Sequence, residues 1–257
     1  MSKNTKKVLS FVALTYVITI LFFIMLQGVG GKSNPKTLNL IGLSMTFPLI
    51  SIIIVEKFIF KDTLKNFIKV SLKFNIWFFI GVLIPVVMGL IINIVSIIKF
   101  NTIIFSQKEF VFNVIIGLSI AAISAYIEEV AWRGFLYNNL KFLGIFKLSL
   151  LIGFIWALWH TPVTILYKYP SNPIIGVVIN FLQMFVISII ITYIRDKSRS
   201  VFAAALIHGM FNTMILSSNM DDFKIVLIKI FLGISIITAL TIYEFYKKSA
   251  NLINYKI

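Results

Sequence analysis

Hydrophobic residues in this chain run in long unbroken blocks; they neither alternate nor recur along a single helical stripe. Eight blocks stand out: Val8–Gly28, Leu38–Val55, Ile76–Ile98, Val111–Leu140, Leu148–Tyr167, Ile174–Ile194, Val201–Ser217 and Ile225–Tyr243. A helix needs ~20 apolar residues to cross ~30 Å of hydrocarbon, and most of the blocks are close to that length. Backbone polar groups in lipid must be satisfied within the segment, so the pattern predicts helices. The expected fold is an all-α polytopic membrane protein of about eight transmembrane helices. The fourth block is over-long and the seventh is the shortest. The longest polar connection, Glu56–Phe74, has Lys57, Lys61, Lys65, Lys69 and Lys73 interleaved with Phe58, Phe60, Leu64, Phe67, Ile68 and Leu72. That spacing suits a cationic amphipathic helix anchored on a membrane surface.

Composition supports this division. Of 257 residues 59% are hydrophobic and 13% charged, and the mean hydropathy is +0.98, beyond the range of a soluble domain. The formal net charge is +15. In a soluble protein that would point to nucleic acid; here basic loops facing an anionic leaflet account for it, and no nucleic-acid partner is expected. With the N-terminus inside, the inner segments carry sixteen Lys and Arg and the outer ones seven, with Arg133 left inside a span. The bias places both termini in the cytoplasm. There is no cysteine, which excludes disulfides, thiolate metal sites and a Cys nucleophile. The apolar run Val8–Leu26 is too long for a signal peptide and is expected to stay as the first span.

The informative residues are the polar ones inside the blocks. Charge in a span is costly and by default marks function. Glu128, Glu129, Arg133, His160 and His208 all lie within apolar segments, and the two histidines are the only ones in the chain. At ~1.5 Å per residue, Glu128, His160 and Asn212 lie roughly 20 Å from the basic cytoplasmic flanks, and His208 about 14 Å. Three helices therefore present polar groups at similar depth. At ~100° per residue, Glu129 and Arg133 fall about 40° apart, in register for an i,i+4 ion pair, whereas Glu128 points about 140° away. Glu128 is then the free carboxylate. His208 and Asn212 are also i,i+4 and could donate hydrogen bonds to a developing oxyanion. A carboxylate and a histidine on neighbouring helices can hold and deprotonate water. Water, base and oxyanion donors are the minimum set for amide hydrolysis.

Glu128-Glu129-x-x-x-Arg133, Trp156-Ala157-Leu158-Trp159-His160 and His208-Gly209-Met210-Phe211-Asn212 resemble the three motifs of the CAAX-protease and bacteriocin-processing family of intramembrane proteases. The resemblance covers about Val111–Ser217. It implies that Glu128 and His160 activate water, that His208 and Asn212 stabilise the oxyanion, and that Glu129 and Arg133 support the site. It implies a peptide or membrane-protein substrate in the bilayer, such as a peptide precursor, a bacteriocin precursor or a prenylated CaaX protein. Members are often labelled metalloproteases although the best understood look glutamate-dependent. No cofactor is favoured; if zinc were held, Glu128, His160 and His208 would be its ligands, but the helical HExxH spacing is absent. One departure is visible: Trp156 stands where the family commonly has Phe, a change expected to alter packing and not chemistry.

The expected organisation is thus N-terminal spans over 1–110, a protease-like core over 111–217, and a last span with a basic tail over 218–257. Two other functions use the same residues. A non-catalytic scaffold or immunity factor would bind a peptide or sensor partner, and a proton-coupled transporter would relay protons through buried Glu, Arg and His. No paired half-repeats support transport. The Ile-, Lys- and Asn-rich composition points to a bacterial cell membrane.

Overall fold

A computed structural model describes residues 1–63, 74–169, 173–216 and 223–254. Nine helices follow one another: α1 Lys3–Gly28, α2 Pro35–Ile59, α3 Ile76–Phe100, α4 Gln107–Leu118, α5 Ile120–Leu143, α6 Ile145–Lys168, α7 Pro173–Ser198, α8 Val201–Met214 and α9 Phe223–Asn254. No strand occurs among the described residues. The protein is an all-α, multi-pass membrane protein.

The expected architecture, with about eight transmembrane helices, is all-α and multi-pass. Among the described residues six helices are long and apolar enough to cross a membrane, and there is a seventh crossing if α4 and α5 act together, bent by 40°. The over-long fourth block is this pair. A capping box starts α4, in which the Ser106 side chain accepts from Glu109 N–H and the Glu109 carboxylate accepts from Ser106 N–H. The break falls at Ser119, whose backbone (φ −119°, ψ −97°) is not helical. The seventh block forms α8, only 14 residues long, or about 21 Å, too short for the hydrocarbon layer. The cationic surface helix expected over 56–74 lies, for residues 64–73, outside the described residues. Glu56–Ile59 instead continue the end of α2 as a π-helical turn.

The short helix is the centre of the bundle. α8 packs against α3, α4, α5 and α7, and almost every residue from Val201 to Phe211 is buried. Between lipid-soluble helices, close packing replaces hydrophobic exclusion as the source of adhesion, and small residues permit it. Ala203, Ala204, Ala205 and Gly209 supply that surface. A Cβ on Gly209 would stand 2.5 Å from Ala122 N and 2.6 Å from Gly117 O. The glycine inside the third motif therefore lets α8 touch the backbone where α4 turns into α5.

The outer helices are sided in a way the sequence does not display. On α1, Val8, Phe11, Thr15, Thr19, Phe23 and Leu26 form one buried stripe, while Val17, Leu21 and Ile24 face outward. Both faces are apolar because one meets protein and the other lipid. α6 packs on α7, α9 packs on α7 and α3, and α1 and α2 pack together against the α5–α6 side.

Candidate active site

Three local irregularities set the site. Immediately after Glu129, α5 widens into a π-helical segment, Val130–Leu136; such bulges recur at functional sites because they re-aim side chains. α6 is interrupted after Trp159: its helical ladder stops, His160 turns, and a new turn starts at Thr161-Pro162. Proline lacks the N–H that would bond the carbonyl four residues earlier, so Pro162 interrupts the ladder beside the histidine. The tight turn sends His160 N–H to the Ala157 carbonyl at 3.3 Å. The Trp156 carbonyl then accepts from the His160 ring through Nδ1, at 2.8 Å. The third irregularity is the close approach at Gly209, which holds His208 and Asn212 against α5.

Arg133 and Glu129 pair as their helical register predicts: Nη1 to Oε1 is 2.9 Å with both side chains fully buried. The guanidinium is satisfied on its other sides by α7. Nη2 donates to Ser188 Oγ at 2.6 Å and to Ser188 O at 3.2 Å, and Nε donates to Thr192 Oγ1 at 3.3 Å. The Trp156 ring lies 5.2 Å from the guanidinium carbon. Glu129 has a second partner that register does not reveal: its Oε1 also lies 2.8 Å from His208 Nδ1. A carboxylate only accepts, so this bond fixes the Nδ1–H form of His208. Nε2 then accepts when the ring is neutral and donates when it is an imidazolium.

Glu128 takes no part in these ion pairs. It accepts a hydrogen bond from Trp156 Nε1 at 3.3 Å and lines a cavity of about 200 Å³. His160, His208 and Asn212 line the same cavity. The four residues expected to carry chemistry, from α5, α6 and α8, thus meet at one place, while Glu129 and Arg133 stand behind them. The rest of the wall comes from outside the 111–217 segment: Thr19 and Phe23 of α1, and Ile41, Gly42, Ser44 and Met45 of α2. Two larger cavities, about 300 and 460 Å³, flank α9. Their walls are mainly aliphatic and neither contains Glu128 or a histidine.

Among the described residues no three His, Asp or Glu side chains are grouped to hold a metal ion. Each histidine has Nδ1 engaged elsewhere, which leaves Nε2 as the nitrogen either ring can present to the cavity.

Several contributors escaped the sequence reading. Ser188 and Thr192 lie i,i+4 on α7, the spacing that paired Glu129 with Arg133, and two hydroxyls at that spacing in an apolar helix were a usable signal. Trp159 lines the cavity and donates through Nε1 to Thr19 Oγ1 at 2.8 Å. Trp132 is fully buried against Phe11 and Trp159 and serves packing. No sequence signal marked α1 or α2 as part of the wall.

The fold and site define a class: a multi-pass helical membrane protein with a carboxylate-histidine cavity enclosed in its bundle. Residues 109–214 match the family model described as type II CAAX prenyl endopeptidase Rce1-like. The chain is also 34% identical over 102 residues to CAAX prenyl protease 2 of Methanococcus maripaludis, covering 37% of this chain and 38% of that protein. The chain therefore spans well under half the length of the curated relative it matches. The matched stretch contains all six motif residues, Glu128, Glu129, Arg133, His160, His208 and Asn212, and over it the chain is similar to that family.

Proposed function

We propose that this protein is an intramembrane endopeptidase in which Glu128 and His160 activate the attacking water. The observation that carries this reading is the meeting of Glu128, His160, His208 and Asn212 on one cavity. Glu128 takes the proton of a water in that cavity. His160, with Nδ1–H turned onto the Trp156 carbonyl, presents Nε2 as an acceptor that holds the same water. As the tetrahedral intermediate forms, the Asn212 amide donates to its oxyanion. His208 donates there through Nε2 as an imidazolium, its charge balanced by Glu129 on Nδ1. Arg133 keeps Glu129 in place, and Ser188 and Thr192 keep Arg133 in place. General acid–base groups of this kind contribute ~10²–10⁴-fold each, and an oxyanion donor ~10²–10³-fold.

The substrate is a peptide or membrane protein that presents its scissile bond within the bilayer, a prenylated CaaX sequence being the class named by the relative. The positive-inside bias supports cytoplasmic termini, and the Ile-, Lys- and Asn-rich composition supports a bacterial cell membrane. Comparative peptidomics of cells carrying wild-type or Glu128→Ala protein tests the reading. Fragments present only with wild type, and reproduced by purified wild-type protein alone, are expected. Cleavage retained by purified Glu128→Ala protein would sink the mechanism. A Glu128→Ala allele that fully complements a deletion would instead favour a binding scaffold.

A further inference from the structure

Trp156 is the one motif position where this chain departs from the family, and it touches His160, His208, Arg133 and Glu128. The side chain is fully buried. Its ring centroid lies 4.6 Å from that of His160 and 5.3 Å from that of His208, edge-on to both, and the Arg133 guanidinium sits over it. Its carbonyl holds His160 Nδ1. A phenylalanine would supply all of these contacts, since they need only a ring and a backbone. The remaining contact needs an indole: Nε1–H donates to Glu128 Oε2 at 3.3 Å. Glu128 is 2% exposed, so few waters compete for that oxygen, and a donor aimed at a buried carboxylate is worth more there than in water.

We propose that Trp156 is a positioning residue whose indole N–H holds the Glu128 carboxylate by one oxygen, leaving the other for the attacking water. This rests on the proteolytic reading above and adds to it. The bond fixes one rotamer of the base and stabilises its ionised form. A chain with Phe at this position must obtain that order from another group, so the departure expected to be one of packing becomes one of chemistry.

The test replaces Trp156 with 3-benzothienylalanine, which keeps the bicyclic ring and removes only the N–H, and in parallel makes Trp156→Phe. Full-length protein in lipid nanodiscs is assayed with a fluorescence-quenched, prenylated CaaX peptide. Losing a hydrogen bond to a charged group lowers the rate by about 10-fold or more. The expected result is that fall in kcat at unchanged KM, with the thermal unfolding midpoint unchanged for the benzothienyl protein. A merely structural role would move the midpoint and leave kcat of the folded fraction intact. A kcat within twofold of wild type overturns the proposal. Ultraviolet resonance Raman spectra of the tryptophans give a readout that needs no substrate. A hydrogen-bonded indole band that disappears in Glu128→Ala supports the proposal, and its absence from wild type overturns it. If wild type leaves the peptide uncut, the substrate class is wrong and the Raman measurement decides. If Glu128→Ala protein cleaves, Glu128 is not the base and the mechanism on which this proposal rests fails.

Discussion

The protein buries two clusters of opposite charge, and they differ in what surrounds them. At the N-terminal end of α1, Lys7 pairs with Glu56 at 2.8 Å and with Asp62 at 2.9 Å, and Lys3 joins at Asp62. Two cations there meet two carboxylates, and no histidine is among the partners. In the bundle centre, Arg133 pairs with Glu129 at 2.9 Å, leaving Glu128 as a carboxylate in excess, and the group adjoins the 200 Å³ cavity. Lys7–Glu56 is a buried pair as Arg133–Glu129 is, whereas Lys3 and Asp62 stay partly exposed. A buried ion pair by itself is weak evidence of anything but specificity. The surplus carboxylate facing a cavity, with histidines on the facing helices, is what separates a site from a latch.

The sharpest way to break this contrast is Glu128→Ala. Cleavage should fall by about 10²–10⁴-fold while the unfolding midpoint holds, because no counter-ion is left stranded; both are measurable on purified protein. Arg133→Met should act the other way round. It strands Glu129 without its cation in the bundle and should cost about 3–5 kcal/mol, read as loss of folded protein in detergent. The paired replacements sharpen the difference. Lys7→Met with Glu56→Leu removes a latch of two buried partners and should leave stability within about 1 kcal/mol and cleavage intact. Glu129→Leu with Arg133→Met should recover stability over Arg133→Met alone, yet remain inactive, since His208 Nδ1 has lost its acceptor. Cleavage regained by that double variant would remove Glu129 from the orientation of His208. The smallest effect is expected from Asp62→Asn. Hydrogen bonds from Lys3, and then from Lys7, hold the Asp62 carboxyl well below the usual carboxylate range. A lowered acid stabilises the fold above its unfolded value, about pH 4, and that contribution is lost as pH falls through the lowered one. Asp62→Asn should therefore lower stability slightly at neutral pH, leave it unchanged at strongly acid pH, and so flatten the acid limb of a stability profile.

Much of the site was legible because helices impose a period. Glu129–Arg133 followed from i,i+4 spacing, and the freedom of Glu128 from its angle to Arg133. The similar depth of Glu128, His160 and Asn212 followed from counting residues to basic flanks. Partners that come from another helix were invisible: Glu129 with His208, Arg133 with Ser188 and Thr192, Glu128 with the Trp156 indole. Lys7 read as an ordinary flanking cation and Glu56 as the start of a loop, since no local spacing ties residues 49 apart. The π-helical turn after Glu129 and the break at Ser119 were also hidden, because hydropathy does not register a change of helical pitch.

The amino-acid sequence by itself determined that this is a helical membrane protein, that Glu128, Glu129, Arg133, His160 and His208 lie in its spans, and which two of them pair along one helix. Hydropathy and helical periodicity are local properties, and lipid forces each segment to satisfy its own backbone. Only the tertiary structure decided that the shortest helix stands at the centre, that α1 and α2 help to wall the cavity, and that Trp156 reaches the free carboxylate. In lipid both faces of a helix are apolar, so which face meets protein is set by shape and by a few buried polar contacts. Those become visible only when the helices are packed.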